Sequence, residues 1–544
     1  MTDEENLENS KDVTDIVNQI RVKNNIYFNK DKFIPNTLAG DIIYDNFDTM
    51  NFTGINRGFI VINSKDSEIY RYNDGVYLDD GDRFVKAVAR QVLGDKATNQ
   101  RITEVVTAVK QFIGLLVERE QLNNYLTLIN LQNGIYDIET GTLLPHDKKY
   151  YFTNKMNIIY NKDAQCPAIL KFMGEVHNKE DIEIIQELFG YCMYPSYEYH
   201  KIFFLIGNGR NGKSTELGII RSFIGKKNIS SATIHDLIES EFNAAQLFGK
   251  LANISGDIGL DMVKDTGIIK RLSGGDSIMA QYKFGHPFEF INFAKLIYAC
   301  NNPPEIKDTS DAMWGRMIHI TFPNTFLDNQ PGTDPNIIDK LTTEKELSGL
   351  FNWAMIGLKR LKVNGKFSYN KTVEENRMAY ERKADPIKGF VQDNLEYREG
   401  STVTRSNMSR IYAAWCKDQK IATINDVWFS RKLKDALPGC YSMRTTVSDG
   451  NDSGRIHVYM NVVIKNDSYQ QSVSTTIGNS PQQQLDFYES LSDRIKNLIT
   501  CIEMHGEPMT IGELVLEGFD IEFIHKCIDQ GIITKNPDET IRVC

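Results

Sequence analysis

Residues 203 to 218 read FFLIGNGRNGKSTELG, an apolar run that leads into glycines and ends in Lys-Ser-Thr. The run fits the spacing G-x-x-x-x-G-K-[ST], which predicts a phosphate-binding loop between a strand and a helix. Glycines let successive backbone N–H groups turn toward a phosphate, and the N-terminus of the following helix attracts its charge. The residues expected to contact the nucleotide are Gly207, Asn208, Gly209, Arg210, Asn211, Gly212, Lys213, Ser214 and Thr215.

Lys213 and Ser214 carry the chemistry of this loop. The Lys213 ammonium is expected to reach the β- and γ-phosphates of ATP, and the Ser214 hydroxyl is expected to bind Mg²⁺. The apolar run KIFFLI before the loop and the helical run STELGIIRSFIG after it supply the strand and the helix that the motif requires. A glycine-rich turn with a solvated lysine is the simpler alternative, and this context argues against it.

Three further polar residues border apolar runs later in the chain. Asp257 follows LANIS and is expected to join Ser214 in holding Mg²⁺ and to activate water, with Asp261 four residues on. Asn301 follows LIYAC and is expected to orient the attacking water. Arg316 precedes MIHITF and is expected to neutralise transition-state charge. Each of these could be an ordinary turn residue, but their order favours a catalytic set, namely Lys213, Asp257, Asn301 and Arg316.

The composition is that of a soluble multidomain protein. Of its residues, 41% are apolar and 25% are charged. The length of 544 residues is too great for a single core. The chain has no run of about eighteen apolar residues, no signal or transit pattern and, among its eight cysteines, no CxxC pair. We therefore expect a cytoplasmic, intracellular protein without membrane contact, zinc site or disulfide framework. The net charge of −10 argues against a histone-like attraction to nucleic acid, although a local basic channel remains compatible with it.

Apolar strands alternate with helices from about residue 205 to residue 322, which is typical of a parallel sheet wound with helices. The predicted fold is multidomain α/β, and boundaries are drawn where the pattern changes. The predicted parts are an accessory N-terminal region at 1–120 with about 15 disordered residues at its start, a helical collar domain at 121–198, a P-loop ATPase at 199–365, a winged-helix-like domain at 366–465, a linker at 466–483 and a small helical or winged-helix domain at 484–544.

Several stretches resemble superfamily 3 helicases, and more narrowly the phage and plasmid primase-helicase group that includes the poxvirus primase-helicase. GNGRNGKST is similar to the Walker A loop of that group, KRLSGGDSIMAQYKFGHPFEFINFAKLIYACNNPPEI to the segment that ends in the sensor strand, and DAMWGRMIHITFP to the arginine-finger segment. Upstream, NLQNGIYDIETGTLLPH, AQCPAILKFMGEV and ELFGYCMYP look like the domain that precedes the motor. The resemblance spans roughly residues 120 to 365.

The resemblance implies an AAA+-like motor that works as a homo-hexameric ring, with ATP between subunits and Arg316 reaching the nucleotide of the neighbour. In the family, a hairpin before the sensor strand projects into the central pore and grips single-stranded DNA, and here that hairpin would be AQYKFGHPF. Lys283 would then contact a phosphate, Phe284 would stack on a base or sugar, and His286 would add a polar contact. An ordinary β-turn with a solvated lysine is the alternative.

Two features depart from the family pattern. Related motors often carry two adjacent acidic residues at the second motif, whereas here Gly256 precedes Asp257, so it stays open whether Asp261 assists. Many relatives carry a primase domain in front of the motor. The densest acidic cluster of the N-terminal third, LDDGDRF at residues 78 to 84, fits a turn between a strand and a helix better than a metal site, so we expect no primase activity from this chain.

The segments after the motor suggest further contacts. SNMSRIYAAWCKDQK and NDVWFSRKLKDAL predict two helices of a winged helix, followed by a hairpin. Arg431, Lys432 and Lys434 on the second helix could meet backbone phosphate or could form a solvated basic face. The last unit holds more acids than bases, so a protein contact and a DNA contact are equally compatible with it.

These features favour an ATP-dependent DNA helicase of a virus, plasmid or integrated element. It would translocate on single-stranded DNA and unwind forked DNA for replication, with a primase or another replication protein as a further candidate partner. The alternative is an ATP-assembled replication initiator or regulator that binds origin DNA without processive unwinding. A small-molecule kinase is disfavoured, because such enzymes rarely need a pore hairpin or the additional domains.

Overall fold

The structure is a computed structural model of the chain. The residues that it describes are 11–22, 27–30, 32–48, 53–207, 209–256, 258–259, 262–308, 310–326, 334, 336–419, 423, 425–449, 452–465, 509–510, 514, 524, 533–535 and 540–543. None of the helices in this described part has the length and hydropathy needed to span a bilayer.

The N-terminal region is a mixed α/β unit with its own apolar core. Its helices are α1 (Lys11–Val22), α2 (Pro35–Ile43), α3 (Gly81–Leu93) and α4 (Asn99–Lys110). Its strands are β1 (Phe28–Asn29), β2 (Lys32–Phe33), β3 (Tyr44–Asp48), β4 (Thr53–Asn56), β5 (Phe59–Ile62), β6 (Ile69–Asn73), β7 (Val76–Leu78) and β8 (Leu116–Val117). Four strands form one sheet in the order β7-β6-β5-β8. Helix α1 already begins at Lys11 and buries Val13 and Val17, so order starts earlier than the predicted disordered tail allows.

The acidic stretch LDDGDRF joins β7 to α3, where a strand-to-helix turn is predicted. Asp80 pairs with the buried Arg71 at 2.8 Å, and Asp82 lies 3.0 Å from Lys110 Nζ. Asp80 therefore joins the sheet to the start of α3, and Asp82 joins α3 to α4.

The segment before the central sheet combines strands and helices. It contains β9 (Leu128–Leu131), β10 (Gly134–Asp137), β11 (Leu143–Leu144), α5 (Pro167–Val176) and α6 (Lys179–Met193). The three strands form an antiparallel sheet in the order β11-β10-β9. A turn at residues 132–133 separates β9 from β10. The predicted helical collar thus also contains a small sheet.

A five-stranded parallel sheet forms the centre of the chain. The strands of this part are β12 (Ile202–Ile206), β13 (Ile229–Ser230), β14 (Ala252–Ser255), β15 (Ser277–Gln281), β16 (Pro287–Ile291), β17 (Lys295–Cys300) and β18 (Met317–Thr321). The helices are α7 (Lys213–Ile224), α8 (Ile234–Glu239), α9 (Glu241–Ala245), α10 (Gly267–Leu272), α11 (Asp311–Trp314), α12 (Ile337–Leu341) and α13 (Glu344–Asn364). The sheet order is β13-β14-β17-β12-β18, and every neighbouring pair is parallel. This sheet confirms the predicted centre of the α/β fold.

Helices cover both faces of the sheet, which is why its strands read as continuous apolar runs. Phe203 and Leu205 pack in one core with α6, α7 and α13, whereas Phe204 and Ile206 pack in a second core with α8 to α11. A buried ion pair ties α6 to α13, since Glu187 accepts hydrogen bonds from Arg360 Nε at 2.7 Å. The loop that follows β12 is therefore anchored on a rigid base.

Lys295 opens β17 and is fully buried. Its ammonium donates to the carbonyl oxygens of Tyr194 and Phe293, both at 2.6 Å, and lies 4.4 Å from the centre of the Tyr191 ring. Burial lowers the pKa of Lys295 from its ordinary value of 10.5 to about 7. The lysine thus fastens α6 to the start of the strand that carries Asn301.

Replacement of Lys295 by Met should remove a pH dependence from the stability of this core. Because the pKa of Lys295 is lower in the folded chain, the unfolded chain binds more protons between pH 7 and pH 10.5, and wild-type stability gains from this group as pH rises. We expect the difference in the free energy of unfolding, wild type minus Lys295→Met, to rise by about 2 kcal/mol between pH 7 and pH 9. Urea unfolding followed by tryptophan fluorescence measures it. A Lys345→Met control should give no such slope, and parallel pH profiles for wild type and Lys295→Met would contradict the expectation.

Between residues 373 and 464, the described residues form four helices and a three-stranded antiparallel sheet. The elements are α14 (Val373–Ala384), α15 (Pro386–Asn394), β19 (Leu395–Thr404), α16 (Arg405–Asp418), α17 (Asp426–Ala436), β20 (Tyr441–Asp449) and β21 (Asp452–Ile464). The sheet order is β19-β21-β20. The two expected helices and the hairpin form, and β19 is an additional strand. The assignment as a winged helix stays a prediction. Tyr380 of α14 packs on Phe204 and Trp314, so this helix belongs to the core of the parallel sheet.

Three short strands near the C-terminus form a further sheet. They are β22 (Met509–Thr510), β23 (Ile533–Lys535) and β24 (Thr540–Val543), in the order β22-β24-β23. The predicted linker at 466–483 lies outside the described residues, as does most of the predicted domain at 484–544.

Candidate nucleotide-binding site and DNA-contact hairpin

The glycine-rich loop crosses the carboxyl edge of the parallel sheet between β12 and α7. Gly207 must be a glycine, because a Cβ there would lie 2.2 Å from Asn211 Nδ2. Gly212 has a φ of +91°, and a Cβ there would lie 2.7 Å from Val176 Cγ1. Arg210 also has positive φ, at +58°. The loop thus curls tightly onto the start of α7, as the motif predicts; Asn208 lies outside the described residues.

The structure brings Lys213 and Asn301 together. Residues Ile206 and Cys300 are paired in the neighbouring strands β12 and β17, so the residues that follow them leave the sheet side by side. Lys213 Nζ donates to Asn301 Oδ1 at 3.1 Å and to Asn211 Oδ1 at 3.3 Å, and it also bonds to the carbonyl oxygen of Gly207. One buried ammonium therefore faces three oxygens at the edge where the two predicted catalytic segments meet.

The predicted metal ligands are only partly described. Ser214 is exposed in the first turn of α7, and Thr215 beside it is half-buried. Asp257 and Asp261 lie outside the described residues, although Ser255 ends β14 next to β17. Among the described residues, no group of three or more His, Cys, Asp or Glu side chains is arranged to hold a metal. The roles of Ser214 and Asp257 toward Mg²⁺ stay predictions.

Arg316 lies at the opposite end of the sheet from Lys213. Its carbonyl oxygen accepts a hydrogen bond from Ile202 N at 2.8 Å, at the amino end of β12. The five residues of β12 span about 16 Å, so the guanidinium cannot reach the loop of its own chain. Arg316 instead lines an open cavity of about 650 Å³, together with Glu239, Arg271 and Asp276.

The predicted hairpin forms from β15 and β16, with Gln281 paired with Pro287. At its tip, Phe284 is 94% exposed and has a φ of +69°, a conformation that is unusual for a bulky side chain. Lys283 Nζ lies 5.3 Å from the centre of the Phe284 ring. His286 faces the N-terminal region, with its Nδ1 2.6 Å from Asp66 Oδ1. The tip thus presents an exposed cation and an exposed aromatic ring on one turn.

A buried pair behind the glycine-rich loop has no counterpart in the sequence analysis. His177, which follows α5, hydrogen-bonds through Nε2 to Glu216 Oε2 of α7, and both side chains are fully buried. The His177 ring also lies 4.6 Å from the ring of Phe322. No motif marks either residue, since their contact depends on how α5 packs against α7. The pair fixes α7 to the segment that precedes the sheet.

Two family models and several viral proteins are similar to this chain. The D5 N-terminal-like family model matches residues 51–178, and a family of unknown function (DUF5906) matches residues 205–316. "Putative helicase L207/L206" of Acanthamoeba polyphaga mimivirus is 25% identical over 306 residues, and "Putative helicase 184R" of Invertebrate iridescent virus 6 is 26% identical over 348 residues. These matches support a likeness to phage and viral primase-helicases at low sequence identity.

The matches differ in extent. The two viral alignments cover 50% and 55% of this chain and 31% and 35% of the relatives, so the chain spans about a third of the length of each relative. The match at residues 205–316 begins in β12 and ends at Arg316, so it includes the glycine-rich loop, the hairpin and Asn301. The D5 N-terminal-like match crosses residue 120, where the sequence analysis draws a boundary.

Solved structures resemble this fold only distantly. The apo structure of the NrS-1 C-terminal region (305-718) covers 75% of this chain and 96% of its own, with 13% identity and a TM-score of 0.40. A second apo structure of the same region gives 12% identity and a TM-score of 0.39. Likeness at this level is too weak to carry a functional conclusion.

Proposed function

We propose that the chain is the ATP-driven motor of a DNA helicase from a virus or mobile genetic element, which translocates on single-stranded DNA and unwinds forked DNA during replication. The observation that carries the proposal is the 3.1 Å contact between Lys213 Nζ and Asn301 Oδ1. It unites a phosphate-binding lysine and a water-orienting amide at the carboxyl edge of a parallel sheet, where ligands bind in such folds. The names of the viral relatives support the same function.

The residues around the loop have separable tasks in ATP hydrolysis. The backbone N–H groups of the curled loop would hold the β-phosphate, while Lys213 would exchange its present oxygen partners for oxygens of the β- and γ-phosphates. Asn301 would accept a hydrogen bond from the attacking water and so direct it at the γ-phosphorus. Ser214 and Asp257 would hold Mg²⁺, which shields the phosphate charge.

The position of Arg316 supports a ring. Because the length of β12, about 16 Å, separates Arg316 from the loop of its own chain, the guanidinium would act on the γ-phosphate bound to a neighbouring subunit. Head-to-tail contacts of this kind close into a ring when the rotation between subunits permits it. We infer a homo-hexamer, in which the cavity beside Arg316 faces the nucleotide of the next subunit.

The hairpin tip would grip DNA through Lys283 and Phe284. Lys283→Ala should weaken the binding of single-stranded oligothymidine and lower the slope of log affinity against log salt by about 0.7, because one phosphate contact is lost. Fluorescence anisotropy at several salt concentrations measures both quantities. Lys345→Ala, which removes an exposed lysine from the start of α13, is the matched control and should leave the slope unchanged. If Lys283→Ala leaves the slope of log affinity against log salt unchanged, Lys283 does not contact a DNA phosphate.

A replication initiator without unwinding activity is the second candidate. It is favoured by α17, where Trp428 is 52% exposed and Arg431 lies 5.3 Å from the centre of its ring, a surface suited to duplex DNA. A forked duplex with a labelled strand separates the two candidates. The helicase proposal predicts strand release with ATP and none with a non-hydrolysable analogue. Stable ATP-dependent oligomers on the DNA without strand release would support the initiator instead.

A further inference from the structure

The tip of the hairpin is attached to the N-terminal region. Asp66 lies in the short turn between β5 and β6, and its backbone carbonyl oxygen accepts a hydrogen bond from Lys110 Nζ at 3.2 Å. The turn is closed by the hydrogen bond from Ser67 N to the carbonyl oxygen of Ser64 at 3.2 Å. Its fold therefore does not depend on the Asp66 carboxylate, which points at the hairpin instead.

The Asp66 carboxylate makes a two-point contact with one residue of the tip. Its Oδ2 accepts the backbone N–H of His286 at 2.9 Å, and its Oδ1 lies 2.6 Å from His286 Nδ1. The hydrogen bond from the His286 side chain lowers the pKa of Asp66 below its ordinary value, so the carboxylate is ionised near neutral pH. A backbone N–H and a ring N–H that converge on two oxygens of one anion form a donor pair that fits phosphate as well as carboxylate.

A second contact holds the part of β16 next to the tip on the same region. The guanidinium carbon of Arg119 lies 4.4 Å from the centre of the Phe288 ring, and Arg119 pairs with Glu68 at 2.5 Å. The exposed side chains Lys283 and Phe284 remain on the accessible side of the tip. The hairpin is therefore docked, with one of its three predicted DNA-contact residues engaged by an acidic side chain of its own chain.

We propose that the donor pair of His286 is an anion site that Asp66 fills in the DNA-free chain, and that a phosphodiester group of single-stranded DNA displaces Asp66 when the hairpin grips the strand. The inference rests on the proposed role of the hairpin in DNA binding. Asp66 acts as an intramolecular competitor for the site. The apparent affinity for DNA equals the intrinsic affinity multiplied by the fraction of chains in which Asp66 has left the site. Displacement also frees the tip from the turn between β5 and β6.

The test is the affinity of the full-length chain for labelled oligothymidine, measured by fluorescence anisotropy at fixed salt. Asp66→Asn keeps the shape of the side chain and removes its charge, and it should tighten binding about three- to tenfold. Asp66→Ala should tighten binding at least as much. Asp95→Asn removes an exposed carboxylate after α3 and controls for the change in net charge, so its effect should stay within about twofold. In a chain that also carries His286→Ala, Asp66→Asn should change the affinity for oligothymidine by no more than Asp95→Asn does.

Two outcomes overturn the inference in distinguishable ways. In the first outcome, Lys283→Ala weakens DNA binding, but Asp66→Asn and Asp66→Ala change the affinity no more than Asp95→Asn does. The competition by Asp66 is then refuted, while the role of the hairpin in DNA binding stands. If Lys283→Ala binds as tightly as the wild type, the proposed DNA contact fails and the competition fails with it. Thermal unfolding midpoints of all variants, which should agree with the wild type, separate a change in affinity from a loss of folded protein.

Discussion

Lys213→Ala should abolish ATP hydrolysis, with a fall in kcat of about 10³-fold. The physical reason is the loss of the buried Lys213 ammonium, which faces the carboxyl edge of the sheet beside Asn301. The remaining backbone N–H groups of the loop can still hold a phosphate, so weak nucleotide binding should persist while turnover is lost. Steady-state phosphate release at saturating ATP measures the effect.

The control for Lys213→Ala is Lys345→Ala, which removes an exposed lysine far from the loop in sequence. It should retain wild-type turnover. Lys213→Ala should also unfold at nearly the wild-type temperature, because its ammonium bonds to oxygens that other groups or water can satisfy. Retention of more than about a tenth of wild-type turnover by Lys213→Ala would exclude the glycine-rich loop as the hydrolytic site.

Arg316→Ala should also be inactive, with a loss of about 10³-fold, but for a reason that lies in the neighbouring subunit. The length of β12, about 16 Å, separates Arg316 from the loop of its own chain, and Arg316 lines an open cavity. Removal of Arg316 should therefore leave nucleotide binding to the same chain intact and block hydrolysis in the adjacent site. Arg83→Ala, an exposed arginine of α3, is the matched control and should stay active.

Mixing two inactive variants tests whether Arg316 acts between subunits. In a ring of Lys213→Ala and Arg316→Ala chains at equal amounts, about a quarter of the interfaces combine an intact Lys213 with an intact Arg316 from its neighbour. The mixture should regain hydrolysis in proportion, although neither variant alone is active. A mixture as inactive as its components would place Arg316 outside the active site.

The local motifs were readable from the sequence because their chemistry depends on neighbouring residues. Gly207 and Gly212 are required by the backbone of one tight loop, and the apolar runs around them determine a parallel sheet that helices cover on both faces. Asn301 was predictable for a similar reason, since carboxyl ends of parallel strands converge at one edge. The hairpin was expected from the resemblance to the helicase family, in which such a hairpin stands before the sensor strand.

The contacts that could not be predicted join residues far apart in the chain. Asp66 and His286 are 220 positions apart, and although His286 belongs to the predicted hairpin, no pattern marks Asp66 as its partner. His177 and Glu216 meet because α5 packs on α7, and Lys295 is buried because the chain around Tyr194 covers it. Such pairs depend on how whole helices and strands pack, so residue spacing and composition do not predict them. The additional strand β19 was missed because its outward-facing residues are polar along most of its length.

The most direct test of the central claim is steady-state ATP hydrolysis by the full-length chain with and without single-stranded DNA. A motor whose glycine-rich loop powers the grip of the hairpin should hydrolyse ATP several-fold faster with DNA, and Lys283→Ala should lose most of that increase. Turnover that does not respond to DNA in either protein would contradict the coupling between the loop and the hairpin, and the initiator would become the better description of this chain.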